Sequence, residues 1–408
     1  MLAVNAARAG EWQQAAPLPD PRWHHAAGAS PDGHVFAFGG RLLLGSKRKY
    51  DHGNRENAID VYDPKEKTWT RGPEIVPLRR RVVRHYARKV VVPGTRNLKS
   101  IPAEKASVVS SDRFQFELPF GGSDRLGRAH YFTPSGSVYY DPTTGEWDQS
   151  LGPIVHSKSK WNERWLEGGT APAWNRSAGA TATAPDGKMY LVGGQGKRKY
   201  GEGKQKSRVL GTVEIYDPST EQWSEGSPMN VARQQFGAAF GPDGKLYVFG
   251  GCACRGSTTY TVGDKASQER ARVEGEAMEH PVTRTEVYDP TKDTWSDRAA
   301  IPTPRMSLSA ATGLDGKIYV IGGQQRWGGE PMSLVEVYDP ASDSWSKGPS
   351  LRIGRQGHAS AVTLDGKIWV IGGAGADREI GDIGRLVRGE VGGPQKTVET
   401  LQTAPAKK

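Results

Sequence analysis

An all-β fold of six radially arranged, four-stranded antiparallel sheets is what the sequence predicts, and three observations predict it. Short alternating apolar runs end in paired glycines at Gly39-Gly40, Gly121-Gly122, Gly193-Gly194, Gly250-Gly251, Gly322-Gly323 and Gly372-Gly373. A second kind of run ends in Tyr-Asp-Pro at Tyr62, Tyr140, Tyr216, Tyr288 and Tyr338, each with a tryptophan seven residues on, at Trp69, Trp147, Trp223, Trp295 and Trp345. Finally, Trp12 precedes Arg22 by ten residues, as Trp223, Trp295 and Trp345 precede Arg233, Arg305 and Arg355. β-Branched and aromatic runs closed by turn residues are strand signatures, and a period of roughly 50 residues signals a repeat architecture.

The unit is clearest between Arg305 and Trp345, where KIYVIGG and VEVYDP follow an inner strand that begins at the arginine. Blade one, about 17–70, has RWHHAAGA, HVFAFGG and AIDVYDP, with the insertion RLLLGSKRKYDHGNREN between its second and third strands. Blade two, about 100–148, is the poorest copy. RFQFELPFGG reads as its second strand, SVYYDPTTGEW as its last two, and its inner strand is expected near Glu104 to Ser110. Blades three to six are placed at about 174–224, 229–296, 301–346 and 351–402, with QGKRKYGEGKQKSRVLG inserted in blade three and Cys252 to Arg284 in blade four. The sixth blade reaches a third strand, Thr397 to Leu401, and lacks a fourth. Residues 10–16, around Trp12, are expected to supply it, which closes the ring and removes open sheet edges. The last residues, 403–408, read as a flexible tail.

Paired glycines, a tyrosine-bearing third strand and a spaced tryptophan resemble the kelch repeat, and the resemblance runs over essentially the whole chain. It implies a six-bladed kelch β-propeller. The Asp-Pro turns are not the Asp boxes of sialidases, whose Ser/Thr-x-Asp-x-Gly-x-x-Trp pattern DPASDSW and DPTKDTW do not fit.

Composition narrows the function classes. No run has the length of a membrane span. Met1 to Gln14 has no apolar core of signal-peptide type, so the expectation is a cytoplasmic protein, with export after removal of a leader as the alternative. Two cysteines, Cys252 and Cys254, make no disulfide framework, and no histidine or cysteine stands near them at zinc spacing. No cofactor or metal is expected. Galactose-oxidase-like copper chemistry would need a channel tyrosine beside a cysteine. The iron motif of plant specifier proteins is matched by Asp20 and His24, but Ala16 stands where its glutamate belongs.

Strand alternation brings the loops between strands two and three, and those between blades, to one face of a propeller. Every long insertion belongs to one of these two types. Three of them, 41–57, 71–103 and 195–211, carry net charges of +3, +8 and +5, against +10 for the whole chain of 408 residues. A basic rim on one face attracts anions, with strong salt dependence.

Arg22, Arg176, Arg233, Arg305 and Arg355 stand eighteen residues before the second glycine of their pairs, and Glu104 holds the corresponding place in blade two. The position begins the innermost strand, so five guanidiniums are candidates for a ligand-binding ring suited to carboxylate, phosphate or sulfate. The alternative is that they pair with acids of the third strands such as Glu214, Glu286, Glu336 and Glu399. His25 and His358, three residues past their arginines, are packing groups or, in an enzyme, a proton-transfer pair, since blades six and one are neighbours. Alternation points His24 away from His25. Trp165, Trp174 and Trp327 are candidate ligand platforms beside the insertions.

Two functions follow. One is a binding propeller that recognises an anionic small molecule, an acidic peptide or a polyanion, much as the kelch domains of substrate adaptors hold acidic peptides; no nucleic-acid motif is present, and the chain is expected to be monomeric. The other is an isomerase, mutarotase or lyase acting on a sugar acid in the same channel, by resemblance to the N-acetylneuraminate epimerases. Fold alone does not choose between them.

Overall fold

The computed structural model describes residues 10–40, 58–74, 80–85, 88–91, 98–101, 107–112, 120–133, 136–150, 155–158, 163–166, 174–198, 208–252, 281–326, 328–375 and 393–405. Six four-stranded antiparallel sheets form the blades of a propeller, and there is no helix among these residues. Blade five is typical, with Ser309–Thr312, Ile318–Ile321, Val335–Asp339 and Ser344–Lys347 paired in chain order from the hub outward. Its second strand is buried throughout, because it lies between both neighbouring sheet faces. Blades one, three and four follow the same order.

The ring closes as the tryptophan spacing predicts. Gln13–Ala15 pairs antiparallel with Val398–Gln402 and completes blade six outside Lys367–Ile371 and Ala359–Val362. Four of the five recurring tryptophans fasten their blade to the one before it, while the buried indole N–H of Trp223 has no hydrogen-bond partner among the described residues. The Trp345 indole N–H donates to the Ala299 carbonyl at 2.9 Å, Trp295 to Ser227 at 2.7 Å, Trp69 to Ala16 at 2.9 Å and Trp147 to Pro73 at 3.1 Å. Trp12 does the same from blade six, donating to the Pro349 carbonyl of blade five at 2.8 Å. In blades one to five the indole also lies against the tyrosine of its own third strand, as Trp345 does against Tyr338 with ring centres 5.1 Å apart.

Blade two departs from expectation. Phe120–Ser123 is its innermost strand, followed by Ala129–Thr133, Gly136–Asp141 and Glu146–Ser150. Gly121-Gly122 therefore does not end a second strand. Gly121 is small because a Cβ there would lie 2.3 Å from the His130 carbonyl oxygen and 2.4 Å from the Phe38 ring of blade one. Glu104 lies outside the described residues and does not begin this strand. A further four-stranded sheet is drawn from the connections on either side of the blade: Glu163–Leu166, Val155–Lys158, Arg80–His85 and Ser107–Asp112 in that order, with the middle pair parallel.

The paired glycines solve a packing problem at the hub. In Gly322-Gly323 the first glycine has φ +57, and a Cβ on it would lie 2.6 Å from the Arg355 carbonyl oxygen of the next blade. The second would meet the Met306 carbonyl of its own inner strand at 2.7 Å. One glycine admits the neighbouring blade and the other admits the blade's own first strand. Gly322→Ala is accordingly expected to cost more than about 2 kcal/mol in urea unfolding, from a left-handed backbone plus a backbone clash. Gly145→Ala, at φ +73 with nothing within 4 Å of its Cβ, should cost only the backbone strain of about 1 kcal/mol.

No helix among the described residues is long and apolar enough to cross a membrane.

Candidate functional site

The arginines stand four residues before the innermost strands, which begin at Ala26, Ala180, Gly237, Ser309 and Ala359, but the side chains of four of them do not line an opening. Arg22, Arg233, Arg305 and Arg355 are completely buried. Each is paired with an acid of its own third strand: Asp60, Glu286, Glu336 and Glu399 respectively. Arg305 shows the pattern. Its Nε donates to the Gly322 carbonyl at 2.8 Å, Nη2 to Val320 at 2.9 Å, and Nη1 to Thr303 at 2.8 Å and to the Glu336 carboxylate. The guanidinium thus joins the start of strand one, the end of strand two and the middle of strand three. Glu336 Oε1 in turn accepts from the Thr303 hydroxyl at 2.8 Å. Burial pushes the Arg305 pKa down while Glu336 holds it up. A guanidinium buried completely, with four of its five N–H donors committed to its own blade as in Arg305, is out of a ligand's reach. The predicted ligand-binding ring is corrected for these four residues: they are clamps within the blades.

Of the remaining candidates, Arg176 lies in Trp174–Ser177 with its backbone opposite Gly196, and Trp174 opens the same strand opposite Arg198. Trp165 sits in Glu163–Leu166 opposite His156. These belong to different sheets. Trp327 lies outside the described residues, as does most of the three basic insertions.

At the hub, the residue two past each arginine takes a left-handed conformation: His24 at φ 50, Ala178, Gln235 and Ser307 at 56, and Gly357 at 58. Their peptide groups join in a belt. The His24 N–H donates to the Gly357 carbonyl at 2.7 Å, Gly357 to Ser307 at 2.9 Å, Ser307 to Gln235 at 2.7 Å, and Gln235 to Ala178 at 2.6 Å. Left-handed residues are costly away from glycine, by about 1 kcal/mol each, and the belt is what holds them. The turn also breaks strand alternation, so His24 and His25 both line the hub cavity, contrary to expectation. Sequence reading missed this belt, although its signal, a fixed offset of two from each arginine, was present.

The cavity inside the belt has a volume of ≈ 110 Å³ and is bounded by residues of five blades, including His25 and His358. The two histidines are brought together here as their blades' adjacency predicts. Both are buried. Burial first, then the Arg22, His358 and His24 charges, hold His25 well below the usual imidazole range. Burial and Arg355 lower His358 to about 3. A proton-transfer residue works best with its pKa near the working pH, whereas these imidazoles are weak bases held in the neutral form. A cavity this size is also well below the roughly 300 Å³ at which small-molecule sites ordinarily begin. No cluster of metal-ligating side chains occurs among the described residues.

A family model described as the Kelch motif matches residues 22–75, 176–230 and 305–352, which are blades one, three and five. Three of the six blades in the closed ring thus match the motif, and together with the propeller fold this decides the family. The chain is a kelch-repeat β-propeller. Among curated proteins, the kelch propeller is similar to "Kelch repeat and BTB domain-containing protein 12" of Danio rerio, 28% identical over 177 residues, or 41% of this chain and 25% of that protein. The Homo sapiens protein of that name is 30% identical over 140 residues, 33% of this chain and 20% of the relative. "Kelch-like protein 36" of Bos taurus is 25% identical over 320 residues, 74% of this chain and 44% of the relative. The chain thus spans between a fifth and under half the length of these relatives.

Proposed function

We propose that this kelch propeller binds a protein partner, and that an acidic segment of that partner meets the face from which the basic insertions emerge. One observation carries the reading: the strands leave every long insertion on that face, while the hairpins of the opposite face are tight turns such as Gly313–Lys317 and Asp339–Ser344. The arginine–carboxylate clamps leave four of the most conspicuous cations neutralised inside the blades. The charge that remains for a partner is that of the insertions, +3, +8 and +5. Kelch-like relatives favour a protein over a free small molecule, and the ≈ 110 Å³ hub cavity is small for a sugar acid.

Charge reversal tests this. Lys47→Glu, Arg48→Glu, Lys197→Glu and Arg198→Glu together are expected to weaken binding of an acidic peptide probe, poly-glutamate, by about tenfold or more at low salt and to flatten its salt dependence. Fluorescence anisotropy of a labelled probe reads both. An unchanged affinity, with the variant folded by circular dichroism, would remove the basic face from the argument.

A further inference from the structure

On the face opposite the long insertions, the turns between strands one and two gather around the hub, and their second residue follows a pattern. It is Pro31, Pro185 and Pro242 in blades one, three and four, Arg125 in blade two, and Leu314 and Leu364 in blades five and six. A proline presets the backbone for this turn position. Leucine brings no such help and puts hydrocarbon into water. Leu314 is 43% exposed and Leu364 73%, and with Leu126 at 71% they are the exposed large hydrophobic side chains among the described residues. Leu314 reaches over the seam to blade six, since a Cβ on Gly366 would lie 2.3 Å from its Cγ. Leu314 thus lies on the very turn that carries Leu364. Pro242 reaches Gly316 of the next blade in the same way, at 3.5 Å, but the space over Gly33 of blade one is taken by Pro64, so Leu364 has no such seat.

The chain's own first residues enter the fold beside these leucines. Gln13 stands opposite Thr400 in the closing strand, so the residues before it run toward the end of the third strand at Gln402 and Thr403. That end is tied to both leucine turns. Gln402 Nε2 donates to the Asp365 carbonyl at 2.7 Å, the Thr403 hydroxyl to the Gly366 carbonyl at 2.6 Å, and the Leu314 N–H to Thr403 Oγ1 at 3.0 Å. Three strand spacings of about 4.8 Å separate the outer strand of a blade from its inner one, and nine extended residues reach about 30 Å. Residues 1–9, MLAVNAARA, precede the described residues and are long enough to cover that distance.

Their composition fits the patch. Met1, Leu2 and Val4 are apolar, Arg8 is the one charged side chain, and there is no acid. Leu2 and Val4 share a face of an extended segment. The turns around the leucines, 313–317, 339–344 and 363–367, carry Asp315, Asp339, Asp343 and Asp365 against Lys317 and Lys367, a net −2. A second copy docking through the same face would set two such negative rims against each other, whereas a basic apolar segment is drawn to them.

We propose that residues 1–9 dock on the leucine seam of blades five and six, with Leu2 and Val4 over Leu364 and Leu314. The propeller thereby covers its own exposed apolar patch on one face and leaves the face of the insertions open to a partner. Tethering makes the contact intramolecular, at an effective concentration in the millimolar range, so a weak attraction suffices.

The test is methyl NMR of the full chain with ¹³C-labelled leucine and valine methyl groups. Nuclear Overhauser effects are expected between the Leu2 or Val4 methyls and those of Leu314 and Leu364, unchanged on dilution and absent between labelled and unlabelled chains mixed in one sample. Leu2→Ser with Val4→Ser, both ahead of the closing strand, should abolish them, shift the Leu364 methyl resonances and raise the fluorescence of a dye that binds apolar surface. Leu364→Ser should release the Leu2 methyls in the same way. Leucine methyls that contact nothing from residues 1–9, or whose resonances stay in place when Leu2 and Val4 are replaced, would overturn the proposal. Contacts that arise between chains in the mixed sample would overturn it in favour of a second copy.

Discussion

Glu336→Leu is expected to lower the free energy of unfolding by about 3–5 kcal/mol, the range for stripping one partner from a buried ion pair. The mechanism is specific to the clamp. Arg305 would keep its carbonyl contacts to Thr303, Val320 and Gly322 but would hold an uncompensated charge in a site with no solvent exposure. Arg305→Leu should cost a similar amount, by leaving Glu336 and three carbonyls without their donor. The double variant should cost much less than the two singles added, because each charge is a liability only while the other is missing. Urea unfolding of the four proteins gives the coupling energy. Singles that cost under about 1 kcal/mol would mean that the pair is solvated, as surface salt bridges are, and would reopen the arginines as candidates for ligand contact.

The clamps also show how far the sequence could be read. The arginine recurs at a fixed distance from the paired glycines, and it stands four residues before strand one, not at its first residue. Its destination depended on a second periodicity, the acid two residues before four of the five third-strand tyrosines, seen at Asp60, Glu214, Glu286 and Glu336. Both were visible, yet position along a strand does not say whether a long side chain turns to the hub or back across its own sheet. Blade two failed for a related reason. Two different hub constraints call for glycine, the end of strand two and the close approach of strand one, and Gly121-Gly122 answers the second. A better marker is the turn glycine one or two residues before each second strand: Gly33 before Val35, Gly187 before Met189, Gly316 before Ile318 and, in blade two, Gly127 before Ala129. The closing strand was legible because Trp12 does a job that only the outer strand of a blade does, bonding to a carbonyl of the blade before it.

The hub histidines make stability depend on pH, with a sign fixed by their burial. Both imidazoles have folded-state pKa values below the unfolded value near 6.5, with His358 at about 3. The unfolded chain therefore binds more protons as pH falls, and the native state is destabilised from about pH 6.5 downward; above that value neither group contributes a slope. Each histidine that stays neutral in the fold adds about 1.4 kcal/mol of destabilisation per pH unit in that window. His25 faces Arg22, His24 and His358, while His358 faces Arg355 and the Ser309 hydroxyl. Neither has a carboxylate that would reward protonation. These are the seats between blades five and six and between blades six and one, so the load falls on both flanks of the blade that the N-terminal strand completes. Urea unfolding at about pH 7 and about pH 5.5 should show the wild type losing more stability than His25→Phe/His358→Leu, by roughly 2–3 kcal/mol. Equal losses in the two proteins would show that His25 and His358 protonate as readily in the fold as in the unfolded chain, which their buried seats over Gly372 and Gly322 do not allow.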